Sequence, residues 1–469
     1  MAESRSQQSD TPDGGRKTPG WLRWQRRYVS ENVFSFFICG IIGLLCGMAS
    51  FALKWLIDNM SRFFTSGFTD VWPDWALILI PIVGIFLTGM VCRYWLHYTP
   101  VHGTRRIMQS LTSGNYDMPR SLMWSSVLTS TITLGFGGSA GAEGPIAYTG
   151  AAIGSNMGRA MHFEPQLMRV MIGCGAGAGI AGIFKAPIGG AFFTIEVLRM
   201  ELSSPALMSL FVCALIAALT AYCLSGFVLN VQMDVSAPMD VSWLPWVMAL
   251  GVFCGLYSLY YSWINHSLGA WLGRFANPWV KNLAGGAVLA ISVFLLPELY
   301  GEGYGLIGDI INGRSAELQV GSIVDGMKGT GALILAAGQI LLAKCFAASA
   351  TNNSGGVAGE FAPTLFAGCL AGYFFAVCAN VLFGAGISAA HFALFGMAGV
   401  MAGVIRAPFM AIFLTCEMTG AFTYFLPVTI AAALSFGVTR LYTFDRFYMA
   451  NKVNFNGMLS FFKRTGKNT

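Results

Sequence analysis

Unbroken apolar runs of about twenty residues alternate along this chain with short polar breaks, the pattern that helices crossing a bilayer require. Val33 to Ile57, Trp75 to Leu96, Ser204 to Leu229 and Pro245 to Leu272 each predict a spanning helix. Two longer regions, Leu134 to Leu198 and Ala350 to Met418, are cut every few residues by Gly, Ala, Ser or Pro. Their pieces read as too short or too broken to cross alone. Irregular backbone at membrane depth is tolerated only where it is buried in protein or lines a watery cavity. Broken helices at matching places in two halves point to a binding site near the midplane.

The two broken regions repeat one another. The first carries Gly141-Ala142-Glu143-Gly144-Pro145, then Lys185-Ala186-Pro187, then Glu196. The second carries Gly359-Glu360-Phe361-Ala362-Pro363, then Arg406-Ala407-Pro408, then Glu417. The offset is 218 positions from Gly141 to Gly359 and 221 from Lys185 to Arg406. Proline to glutamate spans nine residues in both copies, from Pro187 to Glu196 and from Pro408 to Glu417.

Composition sets the solvent. Hydrophobic residues make up 55% and charged residues 11%, against about a quarter charged in soluble domains. The expectation is an all-α polytopic membrane protein held in the lipid bilayer of the cell membrane. Residues 1–30 read as a cytoplasmic N-terminal tail ending in a Trp21-Leu22-Arg23-Trp24 interfacial anchor, 31–450 as one membrane domain, and 451–469 as a short cytoplasmic tail without a regulatory domain. The halves are drawn at about 31–272 and 273–450, with the polar stretch Asn312 to Glu317 as an extramembrane loop. The net charge of +6 gathers at both ends, at Arg16, Lys17, Arg23, Arg26 and Arg27 and at Arg446, Lys452, Lys463 and Arg464. Basic flanks stay in the cytoplasm, so both termini are placed there and nucleic acid is not an expected partner. The 11 cysteines lie in apolar runs without C-x-x-C pairs and read as small hydrophobes.

The motifs have anion chemistry. A helix N-terminus carries unpaired N–H groups and about half a positive charge, so it holds an anion without a full cation. Glycine at Gly141 and Gly144 lets a ligand approach the backbone, and proline suits the first helical turn. Two such ends converging on one point make a small-anion site. Gly173 to Gly179, a run of alternating glycines, follows no strand and reads as small-residue helix packing rather than a nucleotide fingerprint.

Glu143 is the candidate gate. A carboxylate at membrane depth is costly without a partner and marks function. Placed before a Gly-Pro step at an anion site, it can occupy the site as a substitute anion and withdraw when protonated. The alternative is a carboxylate capping its own helix. Glu196 and Glu417 follow their basic residues by about three turns and read as structural or helix-end groups, with Glu196 also a candidate on a proton pathway.

These residues resemble the CLC chloride channels and transporters. Gly141-Ala142-Glu143-Gly144-Pro145 is similar to that family's G-(K/R)-E-G-P motif, and Gly359-Glu360-Phe361-Ala362-Pro363 to its G-x-F-x-P motif. The segment from Gly396 through Arg406-Ala407-Pro408 to Glu417-Met418-Thr419 is also similar. The resemblance covers roughly residues 35 to 450 and implies a homodimer with one anion pathway per subunit, built as an inverted repeat of tilted, broken helices. It implies that Glu143 gates, that backbone N–H groups around Glu360 and Phe361 hold chloride, and that a tyrosine hydroxyl, Tyr448 or else Tyr442, joins them.

There are departures. His102 stands where the family has an anion-binding serine, Ala142 where it commonly has a base, and Glu360 puts an acid beside the anion site. Val197 replaces the second acid of many proton-coupled members, while the compact chain is similar to prokaryotic forms. The expected function is chloride transport through a Glu-gated pathway, as a chloride/proton antiporter. A voltage- or pH-gated passive channel and a fluoride-exporting variant stay open. Neither a nucleophile with a base nor metal-ligand spacing occurs among His97, His102, His162, His266 and His391, so no enzyme activity and no cofactor are expected beyond the transported chloride.

Overall fold

The computed structural model describes residues 31–66, 74–96, 103–229, 231, 233, 240–314 and 329–442. The two tails, their Trp21–Trp24 anchor, His97, His102 and Tyr448 lie outside them. The described chain is all helical apart from one isolated β-bridge. The helices before residue 230 are α1 (Glu31–Ser66), α2 (Asp74–Met90), α3 (Gly103–Ser113), α4 (Leu122–Gly135), α5 (Glu143–Ala160), α6 (Pro165–Phe184), α7 (Pro187–Phe192) with a π-turn to Val197, and α8 (Ser204–Leu224). Those after it are α9 (Leu244–Leu272), α10 (Pro278–Leu295), α11 (Tyr304–Ile311), α12 (Thr330–Asn353), α13 (Phe361–Phe383), α14 (Ala389–Ile405), α15 (Pro408–Thr419) and α16 (425–442).

Among the described residues, eight helices are long and apolar enough to cross a membrane. Large apolar side chains such as Phe37, Leu219, Leu256 and Trp263 face outward, as lipid-facing positions do. Three of the four unbroken runs fold as expected into α1, α8 and α9, while the apolar part of α2, Leu79–Trp95, is shorter than the eight. The broken regions need a correction: α6 and α13, of 20 and 23 residues, are each long enough to cross. Their glycines and alanines serve close packing rather than interruption, and these two are the most enclosed of the eight, with 83% and 67% of their most apolar stretch buried.

The repeat is an exact pairing of contacts. In the first half Gly150 of α5 abuts the carbonyl of Gly175 in α6, and in the second Gly368 of α13 abuts that of Gly396 in α14. These glycines are related by the same shifts of 218 and 221 that relate the motifs. A Cβ at any of them would overlap backbone. Lys185 and Arg406 both end a helix in the left-handed conformation, at φ 57° and 64°. Each stands two residues before a proline that starts the next short helix, and the alanine between lies outside the helical region, from which a residue before proline is disfavoured.

The pairing also moves the boundary between halves. Ser50 Oγ of α1 donates to the Gly179 carbonyl at 3.1 Å, and Ser258 Oγ of α9 donates to the Val400 carbonyl at 3.3 Å. Gly182 faces Ser50 as Gly403 faces Ser258. The counterpart of α1 is therefore α9, so the division falls between α8 and α9 rather than at residue 272.

Between the halves the acids are exchanged. Glu417 of α15 accepts from the N–H groups of Ile188 and Gly189 in α7, at 3.0 and 2.8 Å. Glu196, after α7, accepts from Phe409 and Met410 in α15, at 3.3 and 2.8 Å. Each short helix thus has its positive end neutralised by the other half. Phe192 and Phe413 stack beside this contact with centroids 5.1 Å apart. Losing a cap costs about 0.5–2 kcal/mol, so Glu417→Ala and Glu196→Ala are each expected to lower the melting temperature of the purified protein by a few degrees. No shift in either variant would refute the capping role.

Candidate functional site

The two motif copies meet at the same pseudo-two-fold relation. Gly141 N–H donates to the Gly359 carbonyl at 3.1 Å, and Gly359 N–H donates back to Gly141 at 2.6 Å. This bridge brings the N-termini of α5 and α13 together. At the equivalent next-but-one position the halves differ, with Glu143 in one and Phe361 in the other.

Glu143 uses that difference. It is only 1% exposed, and its Oε1 accepts from the N–H groups of Phe361 and of Ala362, the latter at 3.1 Å. The carboxylate of the first half therefore lies on the N-terminus of the second half's α13, across the bridge. A Cβ on Gly359 would come within 2.6 Å of Glu143 Oε1 and 2.8 Å of the Gly144 nitrogen, so this motif glycine keeps space for the carboxylate. The Phe361 ring turns away and packs edge-on against Phe193 at 5.7 Å.

Glu360 does not compete for these N–H groups. Its Oε1 accepts from Asn265 Nδ2 at 2.7 Å, and Asn265 is in turn bonded by Asn353 at 3.1 Å. The acid beside the site points away into a cavity of about 730 Å³ whose wall includes Glu143, Glu360, Arg105, Arg406, His266 and Val197. The described imidazole in this cavity is His266. Tyr442 sits half-exposed at the end of α16 and does not line the cavity, which removes the fallback tyrosine.

Several polar groups near Glu143 escape sequence reading. Glu302, before α11, accepts from the Ala142 N–H at 3.2 Å through Oε1 and from Lys54 Nζ at 2.5 Å through Oε2. Lys344 is fully buried in α12. Its ammonium donates to Ser139 Oγ at 2.8 Å and lies 4.4 Å from the centre of the Phe366 ring. Tyr261 of α9 is also buried, within electrostatic range of Glu143 and Glu360. One feature of the sequence does mark it: Tyr257, Tyr261 and Asn265 recur every fourth residue and share one face of α9.

Chemically, the site is a pair of N–H groups at a helix N-terminus bonded to the protein's own carboxylate. Removing that charge, or displacing it by a competing anion, frees the Phe361 and Ala362 N–H groups.

Comparison with known proteins follows the same line. A sequence profile described as "Voltage gated chloride channel" matches residues 84–440. The chain belongs to this family. It is a multi-pass membrane protein, and its relatives are transport proteins rather than enzymes. Among them, a putative chloride channel protein ClcB-like from Ralstonia nicotianae is 28% identical over 414 residues, covering 84% of this chain and 91% of that protein. A voltage-gated ClC-type chloride channel ClcB from Salmonella typhi is 27% identical, covering 88% and 97%. The fold is similar to a slow cyanobacterial Cl-/H+ antiporter, with a TM-score of 0.74 at 22% identity over 87% of this chain and 94% of that one. It is also similar to a CLC-type fluoride/proton antiporter, at 0.72 and 22% over 87% and 96%.

Proposed function

We propose that the protein exchanges chloride for protons across the cell membrane, with Glu143 as the gate. The observation that carries this reading is the carboxylate of Glu143 lying on the Phe361 and Ala362 N–H groups, where a transported chloride would lie. Gly141, Gly144 and Gly359 clear the approach, and Glu360 contributes backbone while its side chain is held aside by Asn265. Low pH neutralises Glu143 and favours its release; high pH returns the charge and closes the cradle. One group then answers both ions.

The orientation follows from the cytoplasmic placement of the termini. α1 begins inside, so Lys54 and Asp58 toward its end face outward. The large cavity with Arg105 and Arg406 faces the cytoplasm. The assembly is a homodimer in the bilayer, each subunit carrying its own pathway.

Val197 favours a second reading. It stands in the wall of the inward cavity where a proton-relaying acid is absent, as suits a passive channel. Purified protein in liposomes separates the two. Under a chloride gradient with no proton gradient, exchange is expected to drive protons opposite in sense to a leak through the lipid. Chloride flux without proton movement under any gradient would sink exchange in favour of the channel. Fluoride and nitrate in place of chloride report selectivity.

A further inference from the structure

Another cavity lies away from Glu143. Its volume is about 620 Å³, and its wall includes Asp117, Arg120, Asn156, Arg159 and His162; small-ligand sites ordinarily have about 300–1,000 Å³. Arg159 and Glu143 stand at opposite ends of α5, about 24 Å apart along the helix. The cavity is at the end of the molecule where α1 begins. Phe34, in the first turn of α1, meets Phe163, just past α5, with ring centroids 5.8 Å apart.

The walls are fixed by α5. Ser155 Oγ accepts from the Met118 N–H at 3.0 Å and donates to the Tyr116 carbonyl at 2.6 Å. Asn156 Nδ2 and Arg159 Nη2 both donate to the Met118 carbonyl, at 3.1 and 3.2 Å, and Arg159 Nη2 also donates to Asn156 Oδ1. The loop from α3 to α4 is thereby pinned, and so is the Arg159 guanidinium. Its other terminal nitrogen, Nη1, meets Asp117 at 3.6 Å, too long for a hydrogen bond. The Asp117 side chain is 67% exposed, so this pair is weak. A loosely held carboxylate marks the place where a stronger anion would be received. Arg120, exposed at the turn into α4, brings a second guanidinium to the same wall, and planar guanidinium forks match the oxygens of a phosphate group.

Position selects the source of the phosphate. Trp124, one turn after Arg120, is 47% exposed, Trp95, closing the π-helical turn after α2, is 63% exposed, and their rings lie 6.0 Å apart. Exposed tryptophans gather at the headgroup level of a bilayer, which places Arg120 among headgroups. We propose that this cavity binds the phosphate of an anionic phospholipid headgroup, such as phosphatidylglycerol. Basic pockets between spanning helices suit such lipids, whereas a zwitterionic headgroup brings an ammonium that the two guanidinium groups repel. The inference does not depend on which ions the protein moves.

The test titrates the purified full-length protein, in the uncharged detergent dodecyl maltoside, with phosphatidylglycerol carrying a dansyl group on an acyl chain. Energy transfer from tryptophan reads occupancy. Saturable binding is expected, weaker by about tenfold in Arg120→Ala, as for loss of a charge-assisted hydrogen bond. Binding is expected to tighten several-fold in Asp117→Asn, where the competing carboxylate is gone. Opposite shifts from two exposed side chains cannot both come from misfolding. Arg93→Ala removes an equal charge from the π-helical turn that carries Trp95, and is expected to change affinity little. A loss there equal to that of Arg120→Ala, or an Asp117→Asn protein no tighter than wild type, overturns the proposal. Equal affinity for dansyl-phosphatidylcholine overturns the anionic headgroup. Displacement of the lipid by inorganic phosphate at millimolar concentration overturns the lipid source in favour of a soluble phosphate.

Discussion

Chloride flux in Glu143→Gln is expected to lose its pH dependence, holding at every pH the value that the wild type reaches only in acid. Gln has nearly the shape of the protonated acid and none of the charge of the carboxylate. The N–H groups of Phe361 and Ala362 now bond an anion, and hydrogen bonds to a charged group contribute about 1.5–3 kcal/mol against 0.5–1.5 kcal/mol for a neutral one. Losing about 1 kcal/mol or more per bond, where each 1.4 kcal/mol is a factor of ten, lets chloride displace the side chain readily. Flux near pH 7.5 should therefore exceed that of the wild type by roughly an order of magnitude, and proton movement should stop. Chloride efflux from liposomes between pH 4.5 and 7.5, on the order of a thousandfold range in proton activity, measures this. A variant with the wild-type rate and the wild-type pH response would remove Glu143 from the gate.

The largest effect on folding is expected at the glycine contacts. Gly150→Val and Gly368→Val each place a branched side chain where the carbonyl of Gly175 or Gly396 already lies. Overpacking ordinarily costs about 1–3 kcal/mol because neighbouring side chains adjust. Here the neighbour is the backbone of a helix packed along its length, so the cost is expected to exceed about 4–5 kcal/mol, the range of exceptional substitutions. Neither variant should yield monodisperse protein in detergent. Gly308→Ala is the control, because nothing lies within 4 Å of the added methyl and alanine is the better helix former by about 1 kcal/mol. Equal yields of all three would show that the α5–α6 and α13–α14 contacts are looser than drawn.

Much of this was legible in the chain because the repeat keeps its register. The matched shifts located the two helix ends, and the acid before a Gly-Pro step singled out Glu143 as the candidate gate within them. What escaped was set by distance along the chain. Lys54 and Glu302 are 248 residues apart, and Ala142 and Glu302 are 160, with no periodicity to connect them. Lys344 sits in an apolar helix where nothing local reveals a serine 205 residues away. Gly173 to Gly179 read as packing residues, as α6 bears out, but the expectation that their region is too broken to cross fails for a physical reason. The same residue both breaks a helix and lets two helices touch, and only the partner helix tells which. Drawing the halves at residue 272 failed similarly, because α9 pairs with α1 through single serine and glycine contacts rather than through a shared motif.

The exchanged acids also set an order of assembly. Ile188 and Glu417 are 229 residues apart, and a ribosome adding about 5–20 residues per second needs roughly ten to fifty seconds to cover that interval. Through all of it the start of α7 has no acid to meet it. The reciprocal bond from Glu196 cannot form until α15 emerges near the end of synthesis. Closure at α7 and α15 thus waits on translation of the second half.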